Sequence, residues 1–350
     1  MKHFSALLLL SAFALQAGDS EAVRDAEALN NQGVHLFNDG RYRDAEESYA
    51  KAIAIWRENG SASLAAGLNN LGALYRALGK YAESEAQYLE ALQIQTSLFG
   101  KDSIQSANVL NNLAQLYRTE GRLKDALPLA RKSVALTEEG NPALVDRLAT
   151  LGSTYADLGQ PDEALALFDR AAHLAESTPG VPPRRLAGVL NNMAEVHISQ
   201  RRFEQAEPLA RRAISLWERS VEPGHPNIAV GLNNLAQALR LQGKYAEAEP
   251  LYRRSLQILE TRLGPDHPDF AKALTNLADF FHERGRDGGA IVLYKRALDV
   301  LERSLGPDHP FTTKVRGNLA QVYHAEGRYT EAASLLLLPG EVSRSAAKSR

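Results

Sequence analysis

The sequence predicts an all-α fold, a right-handed α-solenoid of about eight helix-turn-helix repeats, and three observations lead to this prediction. A turn signal followed at once by a new helical pattern returns every 38 to 42 residues. Each interval contains two stretches whose apolar residues recur at helical spacing. Small residues return at matched positions, which lets paired helices pack closely. Periods of this length are typical of stacked supersecondary units.

The turn signals divide the chain into helix pairs. A first helix ends at each turn because glycine readily adopts the left-handed conformation that stops a helix, and a second helix follows directly. The turn positions are Gly40, Gly79, Gly121, Gly159, Arg201, Gly243, Gly285 and Gly327. We expect a solenoid over 22–338, with repeats at about 26–59, 62–99, 104–139, 142–176, 184–221, 226–263, 268–305 and 310–338.

The first helices are amphipathic, as the segment LNNLAQLYR at 110–118 shows. At roughly 100° per residue, Leu110, Leu113 and Tyr117 fall on one stripe, whereas Asn111 and Asn112 fall away from it. In the second helices, alanine recurs at one position, and basic pairs interleaved with glutamate predict a solvated outer face. The alanines are Ala126, Ala164, Ala206 and Ala248.

The pattern Leu68-x-x-Leu71-Gly72-x-x-Tyr75, followed by Ser84 and Tyr88, resembles the tetratricopeptide repeat. The 42-residue spacing, with LGPDHP at 263–268 and again at 305–310, is similar to the kinesin light chain subtype. This resemblance implies a scaffold that binds protein or peptide partners without catalysis. It also implies that the first helices line the concave surface and the second helices the convex one.

Adjacent asparagines recur in the middle of the first helices, where Asn is up to roughly 0.7 kcal/mol less favourable than Ala. Two interpretations stand side by side. An amide both donates and accepts, so a row of them on the concave surface would hold the backbone of a bound peptide. Alternatively, the amides bond from one repeat to the next, fix the stacking and leave partner contacts to the convex face or the ends. A solvated face alone would be served better by Lys, Glu or Gln.

The candidate groove consists of these amides and the arginines that flank them. An arginine there would bind a carboxylate, or else cover apolar surface with its stem. The candidate residues are Asn69, Asn70, Asn111, Asn112, Gln115, Asn191, Asn192, Asn233, Asn234, Gln237, Asn276, Asn318, Arg76, Arg118 and Arg240.

Residues 1–17, MKHFSALLLLSAFALQA, have the features of a cleavable signal peptide: a positive start, a short apolar run and small residues at its end. The chain contains no cysteine. We therefore expect an exported protein, periplasmic or secreted, without membrane insertion after the signal is removed. We expect residues 339–350 to form a flexible polar tail. The run of leucines at 335–338 indicates either self-association through the C-terminal end or contact with that tail.

Several function classes find no support in the sequence. A formal net charge of -2 gives no basic surplus for a nucleic acid partner. We find no catalytic motif and expect no cofactor. The histidines that precede Pro226, Pro268 and Pro310 mark helix starts rather than a metal site, because neighbouring repeats lie too far apart to share an ion.

Overall fold

The computed structural model describes residues 21–336. The predicted signal at 1–17, the predicted tail at 339–350 and the leucines at 337 and 338 lie outside the described residues.

The described chain consists of sixteen α-helices, which form eight consecutive pairs, and it contains no β-strand. The all-α prediction is therefore confirmed. The helices are α1 Glu21–Asn38, α2 Tyr42–Glu58, α3 Leu64–Ala77, α4 Tyr81–Phe99, α5 Ser106–Thr119, α6 Leu123–Ala135, α7 Leu144–Asp157, α8 Pro161–Ser177, α9 Pro183–Ser199, α10 Phe203–Ser220, α11 Pro226–Leu241, α12 Tyr245–Leu263, α13 Pro268–Glu283, α14 Asp287–Ser304, α15 Pro310–Ala325 and α16 Tyr329–Leu336.

The contacts divide the chain into two compact units. Unit 1 comprises 1–119 and 123–154, and unit 2 comprises 120–122 and 155–350. Unit 1 therefore holds α1 to α6 and most of α7, and unit 2 holds α8 to α16. Each unit has its own apolar core between the paired helices, around Leu68 and Leu113 in unit 1 and around Leu232 and Leu274 in unit 2.

Each first helix ends two residues before its turn residue. Gly79 adopts a φ of +73°, and the backbone N–H of Lys80 donates to the Tyr75 carbonyl at 2.8 Å. This is the bond that closes a helix with a left-handed residue. Arg201 keeps the same geometry with a φ of +59° although it has a side chain, and Arg202 donates to the His197 carbonyl at 2.8 Å.

Small residues allow the two helices of a pair to approach. A Cβ atom placed on Gly72 would lie 2.7 Å from the Tyr88 ring, so no larger residue fits without displacing that ring. The Ser84 hydroxyl donates to the Gly72 carbonyl at 2.7 Å and joins α4 to α3. The motif residues of the sequence analysis thus form one contact between paired helices.

Three histidines cap first helices in unit 2. Nδ1 of His225, His267 and His309 accepts a bond from the backbone N–H two residues later, at 3.1, 3.0 and 3.1 Å. A proline follows each one as the first helical residue. The predicted helix starts are confirmed. Within 21–336, no group of three or more His, Asp or Glu side chains is arranged to hold a metal ion.

None of the helices described here combines the length and the apolar character that crossing a bilayer requires.

Candidate functional site

The candidate residues lie on the first helices, which contact one another directly from repeat to repeat. In unit 1, α3 contacts both α1 and α5, and in unit 2, α11 contacts both α9 and α13. Each asparagine pair therefore lies beside the pair of a neighbouring repeat. We call the first member of a pair the inner amide and the second member the outer amide.

The two members of a pair have different surroundings. The inner amides Asn111, Asn191 and Asn233 are only 6 %, 4 % and 7 % exposed. The outer amides Asn112 and Asn234 are half-buried. These three inner amides are therefore more enclosed than the outer amides, whereas the earlier inner amides Asn30 and Asn69 are half-buried.

The outer amide of one repeat donates to the inner amide of the preceding repeat. Nδ2 of Asn70 donates to Oδ1 of Asn30 at 3.0 Å, and Asn112 donates to Asn69 at 2.9 Å. Asn234 donates to Asn191 at 3.0 Å in unit 2. We call these bonds the amide ladder. They are the bonds that the stacking interpretation predicts.

The ladder changes where the sequence departs from the paired asparagines. In the seventh repeat, Thr275 occupies the inner position in place of an asparagine. Asn318 of the eighth repeat donates instead to Oδ1 of Asp279, which lies one turn after Thr275, at 3.2 Å. In the fourth repeat, Thr150 occupies the outer position and accepts from Gln115 Nε2 at 3.1 Å. Asn111 Oδ1 consequently remains buried without a hydrogen-bond partner.

An inner amide of unit 2 is in the same situation, because Oδ1 of Asn233 is also buried without a hydrogen-bond partner. Asn276 occupies the donor position of the next repeat, 43 residues later, but it does not bond to this oxygen.

The outer amides belong to a surface row on each first helix, which we call the first-helix stripe. On α11 the stripe runs through Val230, Asn234, Gln237 and Leu241, which share one face at helical spacing. An amide offers two N–H donors and an oxygen acceptor, and the ladder takes one N–H from each outer amide. Oδ1 and the second N–H of Asn234 therefore remain available beside Gln237.

Comparison with known families decides the assignment. A model described as tetratricopeptide repeat matches residues 63–139, 185–261, 231–303 and 269–337. A second model with the same description matches 26–59 and 144–178. The chain belongs to the tetratricopeptide repeat family. Kinesin light chain-related proteins are among its relatives, which agrees with the kinesin light chain-like repeat type that the sequence analysis predicted.

The curated relatives match only in part. Protein KINESIN LIGHT CHAIN-RELATED 1 of Arabidopsis thaliana is 24 % identical over 182 residues, which are 50 % of this chain and 30 % of that protein. Protein O-mannosyl-transferase TMTC1 of Homo sapiens is 29 % identical over 128 residues, which are 37 % of this chain and 13 % of that protein. This tetratricopeptide repeat chain therefore spans less than a third of either relative's length.

Among solved structures, a Rap protein complexed with Competence and Sporulation Factor has a TM-score of 0.61 and 14 % sequence identity. The match covers 93 % of this chain and 100 % of that one. Similarity at this level of identity shows the tetratricopeptide fold alone.

The three flanking arginines differ in their surroundings. Arg240 is buried, and its guanidinium is ion-paired with Glu283 of the next first helix. Burial by itself lowers the pKa of Arg240, but the Tyr252 hydroxyl and the Glu283 carboxylate together raise it above its ordinary value. Arg76 and Arg118 are half-buried.

Asp279 also lies at the candidate site, beside Asn318. Its Oδ1 accepts from the Tyr294 hydroxyl as well as from Asn318. Burial raises the pKa of the Asp279 carboxyl, although the hydrogen bond from Tyr294 lowers it in part. Asp279 lies three residues after Asn276. Gln115 and Gln237 lie at the same distance after Asn112 and Asn234, so Asp279 occupies the matching position of its repeat.

Three inter-repeat ion pairs on the second helices of unit 2 share a spacing of 36 residues. Arg212 pairs with Glu176 at 2.7 Å, Arg254 with Glu218 at 2.8 Å and Arg296 with Glu260 at 2.9 Å. All of these side chains are solvent-exposed, so each pair contributes only about 0–1 kcal/mol. The basic pairs that the sequence analysis placed on a solvated face thus also connect consecutive repeats.

Proposed function

We propose that this tetratricopeptide repeat protein is an exported, non-catalytic scaffold that holds an extended protein or peptide segment on its first-helix stripe. One observation supports this best. The amide ladder fixes the outer amides in place and leaves part of their hydrogen-bonding capacity at the surface. Binding groups that are held in position before the ligand arrives lose little conformational entropy on binding.

The spacing of the outer amides suits an extended chain. Packed helices lie roughly 8–10 Å apart, and an extended chain rises about 3.3 Å per residue. The distance between neighbouring outer amides such as Asn70 and Asn112 therefore corresponds to about three residues of an extended bound segment. An amide pairs with peptide N–H or C=O groups whatever side chains the segment carries. This surface therefore recognises an extended backbone more than a particular amino-acid sequence.

Absence of catalysis is part of the proposal. Tetratricopeptide repeats typically serve as scaffolds, and the chain shares only 13 % of the length of the transferase that it resembles. The composition supports protein partners rather than nucleic acid, because acidic residues slightly outnumber basic ones.

A second candidate function rests on the same ladder. Three bonds of one type between neighbouring repeats are also what a structural or assembly component would have if its asparagines served only to hold the stack. Partners would then bind to the second helices or the ends. The two candidates differ in which surface the partner contacts.

Two valines of unit 2 separate these candidates. Val230 is 36 % exposed on the first helix α11, and Val292 is 65 % exposed on the second helix α14. We would place a photo-crosslinking residue at either position and irradiate living cells of the source organism. The groove proposal expects a protein adduct at 230 and none at 292.

A change in the stripe that leaves the ladder intact completes this test. Gln237→Glu should weaken the adduct at position 230 without shifting the melting temperature, because Gln237 makes no ladder bond. An adduct at 292 alone would contradict the groove proposal and favour the structural alternative.

Export is tested separately. Expression with a C-terminal tag, cell fractionation and mass spectrometry of the N-terminus should locate the protein in the periplasm or the medium, beginning near residue 15 or 18. An intact N-terminus on protein from the cytosolic fraction would contradict export and leave the binding surface unaffected.

A further inference from the structure

Arg147 occupies a position at which the other repeats carry small or β-branched apolar residues. It lies on α7, three residues before the outer-amide position that Thr150 fills. The matching residues of the other repeats are Ala28, Gly67, Val109, Val189, Gly231, Ala273 and Val315. An arginine in this row is therefore not required by the way these helices stack.

The guanidinium of Arg147 is enclosed and largely unpaired. The residue is 3 % exposed, and Nη2 donates to Asn108 Oδ1 at 2.8 Å. Nε and Nη1 are buried without a hydrogen-bond partner. Among the described residues, no carboxylate forms an ion pair with it. Burial lowers the pKa of Arg147, and the charge of the adjacent Asp146 counteracts this only in part.

A buried cation without a counter-ion is unfavourable, and folded proteins normally pair it with an anion. Unit 2 of this chain shows such a pairing, because the similarly buried Arg240 is ion-paired with Glu283. The described part of unit 1 supplies no corresponding carboxylate to Arg147. The described residues thus leave this buried cation without the anion that its enclosure calls for.

We propose that the α5–α7 contact contains a binding site for a carboxylate group, with Arg147 as its anchor. Nη2 has two hydrogens and gives one to Asn108, so the edge of the planar guanidinium that contains the other Nη2 hydrogen can still donate two parallel bonds to one carboxylate. Asn108 is exposed, and the buried guanidinium is hydrogen-bonded directly to it. The carboxylate reaches Arg147 past Asn108, either as a free small anion or as a side chain of a bound segment.

The test uses the full chain and sodium formate as the probe. Melting temperature is followed as formate replaces chloride at constant ionic strength. The wild type should show a saturable rise in melting temperature, whereas Arg147→Val should show none. Val109, Val189 and Val315 already occupy this position in other repeats, so the variant is expected to fold. Arg240→Met is the matched control, and it should keep the formate-dependent rise because it leaves Arg147 unchanged.

A second arm distinguishes the two sources of the carboxylate. N-acetylglutamic acid amide is compared with N-acetylglutamine amide, which has the same shape without the charge. A rise with the glutamic acid derivative as well as with formate assigns the site to a side chain of a bound segment. A rise with formate alone assigns it to a free small carboxylate. An identical formate response in the wild type and Arg147→Val, including no response in either, would overturn the proposal.

Discussion

Asn112 on α5 donates from Nδ2 to Oδ1 of Asn69 on α3, 2.9 Å away and 43 residues earlier in the chain. Asn234 and Asn191 repeat this relationship in unit 2, with the same direction and the same separation. The bond explains why one chain repeats a residue that is unfavourable within a helix. A partly buried hydrogen bond contributes about 1 kcal/mol, which offsets most of the helix-propensity cost of the two asparagines that form it, at most roughly 0.7 kcal/mol each.

Removal of one ladder donor should lower stability by about 1 kcal/mol relative to a matched asparagine outside the ladder. We expect this of Asn112→Ala when it is compared with Asn31→Ala. Asn31 is the outer amide of the first repeat, is exposed and makes no inter-repeat bond. Both substitutions gain the same helix propensity, so the difference between them isolates the bond. Urea unfolding gives both values, and equal values would show that the ladder does not stabilise the stack.

Substitution of Arg201 by glycine should stabilise the protein. Arg201 holds a φ of +59°, which is unfavourable by roughly 1–2 kcal/mol for a residue with a side chain. Arg201→Gly is therefore expected to raise the free energy of unfolding by about 1 kcal/mol. Gly243→Ala, at the same turn position of the next repeat, should lower it by a similar amount. Differential scanning calorimetry would show two shifts of opposite sign, and a lower melting temperature for Arg201→Gly would refute this account of the turn.

Loss of a histidine cap should destabilise the start of a first helix. His267→Ala removes the acceptor for the Asp269 backbone N–H, and such a change typically costs about 1 kcal/mol. His267→Asn should retain most of the stability, because an asparagine side chain accepts the same bond. Chemical denaturation distinguishes the two variants, and equal losses would argue that the imidazole acts through packing instead.

Acid should weaken the network around Glu207. The hydrogen bond from Lys244, aided by those from Arg211 and Gln242, holds the pKa of Glu207 at about 2, below its ordinary 4.5, although burial opposes this. A lowered folded-state pKa contributes stability that is fully present above pH 4.5 and is lost as the pH falls through about 2. Glu207→Gln should therefore be less stable than the wild type at pH 7, and the difference should shrink below pH 4.5.

Glu204→Gln is the control for that prediction, since Glu204 is exposed one turn earlier on the same helix. Urea unfolding across the pH range should give it the profile of the wild type. A stability difference between the wild type and Glu207→Gln that stays constant with pH would contradict the assigned linkage.

Much of the fold could be predicted because its signals are local. The turn glycines, the stripe of Leu110, Leu113 and Tyr117, and the histidine–proline helix starts all depend on residues within a few positions of each other. The candidate site could be predicted only in outline. Periodicity placed Asn111 and Asn112 together away from the core stripe, but one of them is buried against the next repeat and the other lies at the surface.

The sequence by itself determined that this protein is an all-α array of helix pairs with amides on most of the first helices, because helical periodicity and turn chemistry act over short range. Only the tertiary structure decided how those amides are used. The offset between neighbouring first helices pairs Asn112 with Asn69, and it also brings Glu283 to Arg240, 43 residues away. Among residues 21–336, no such carboxylate reaches Arg147. These differences depend on the contact between two helices from different repeats, which no pattern within a single helix records.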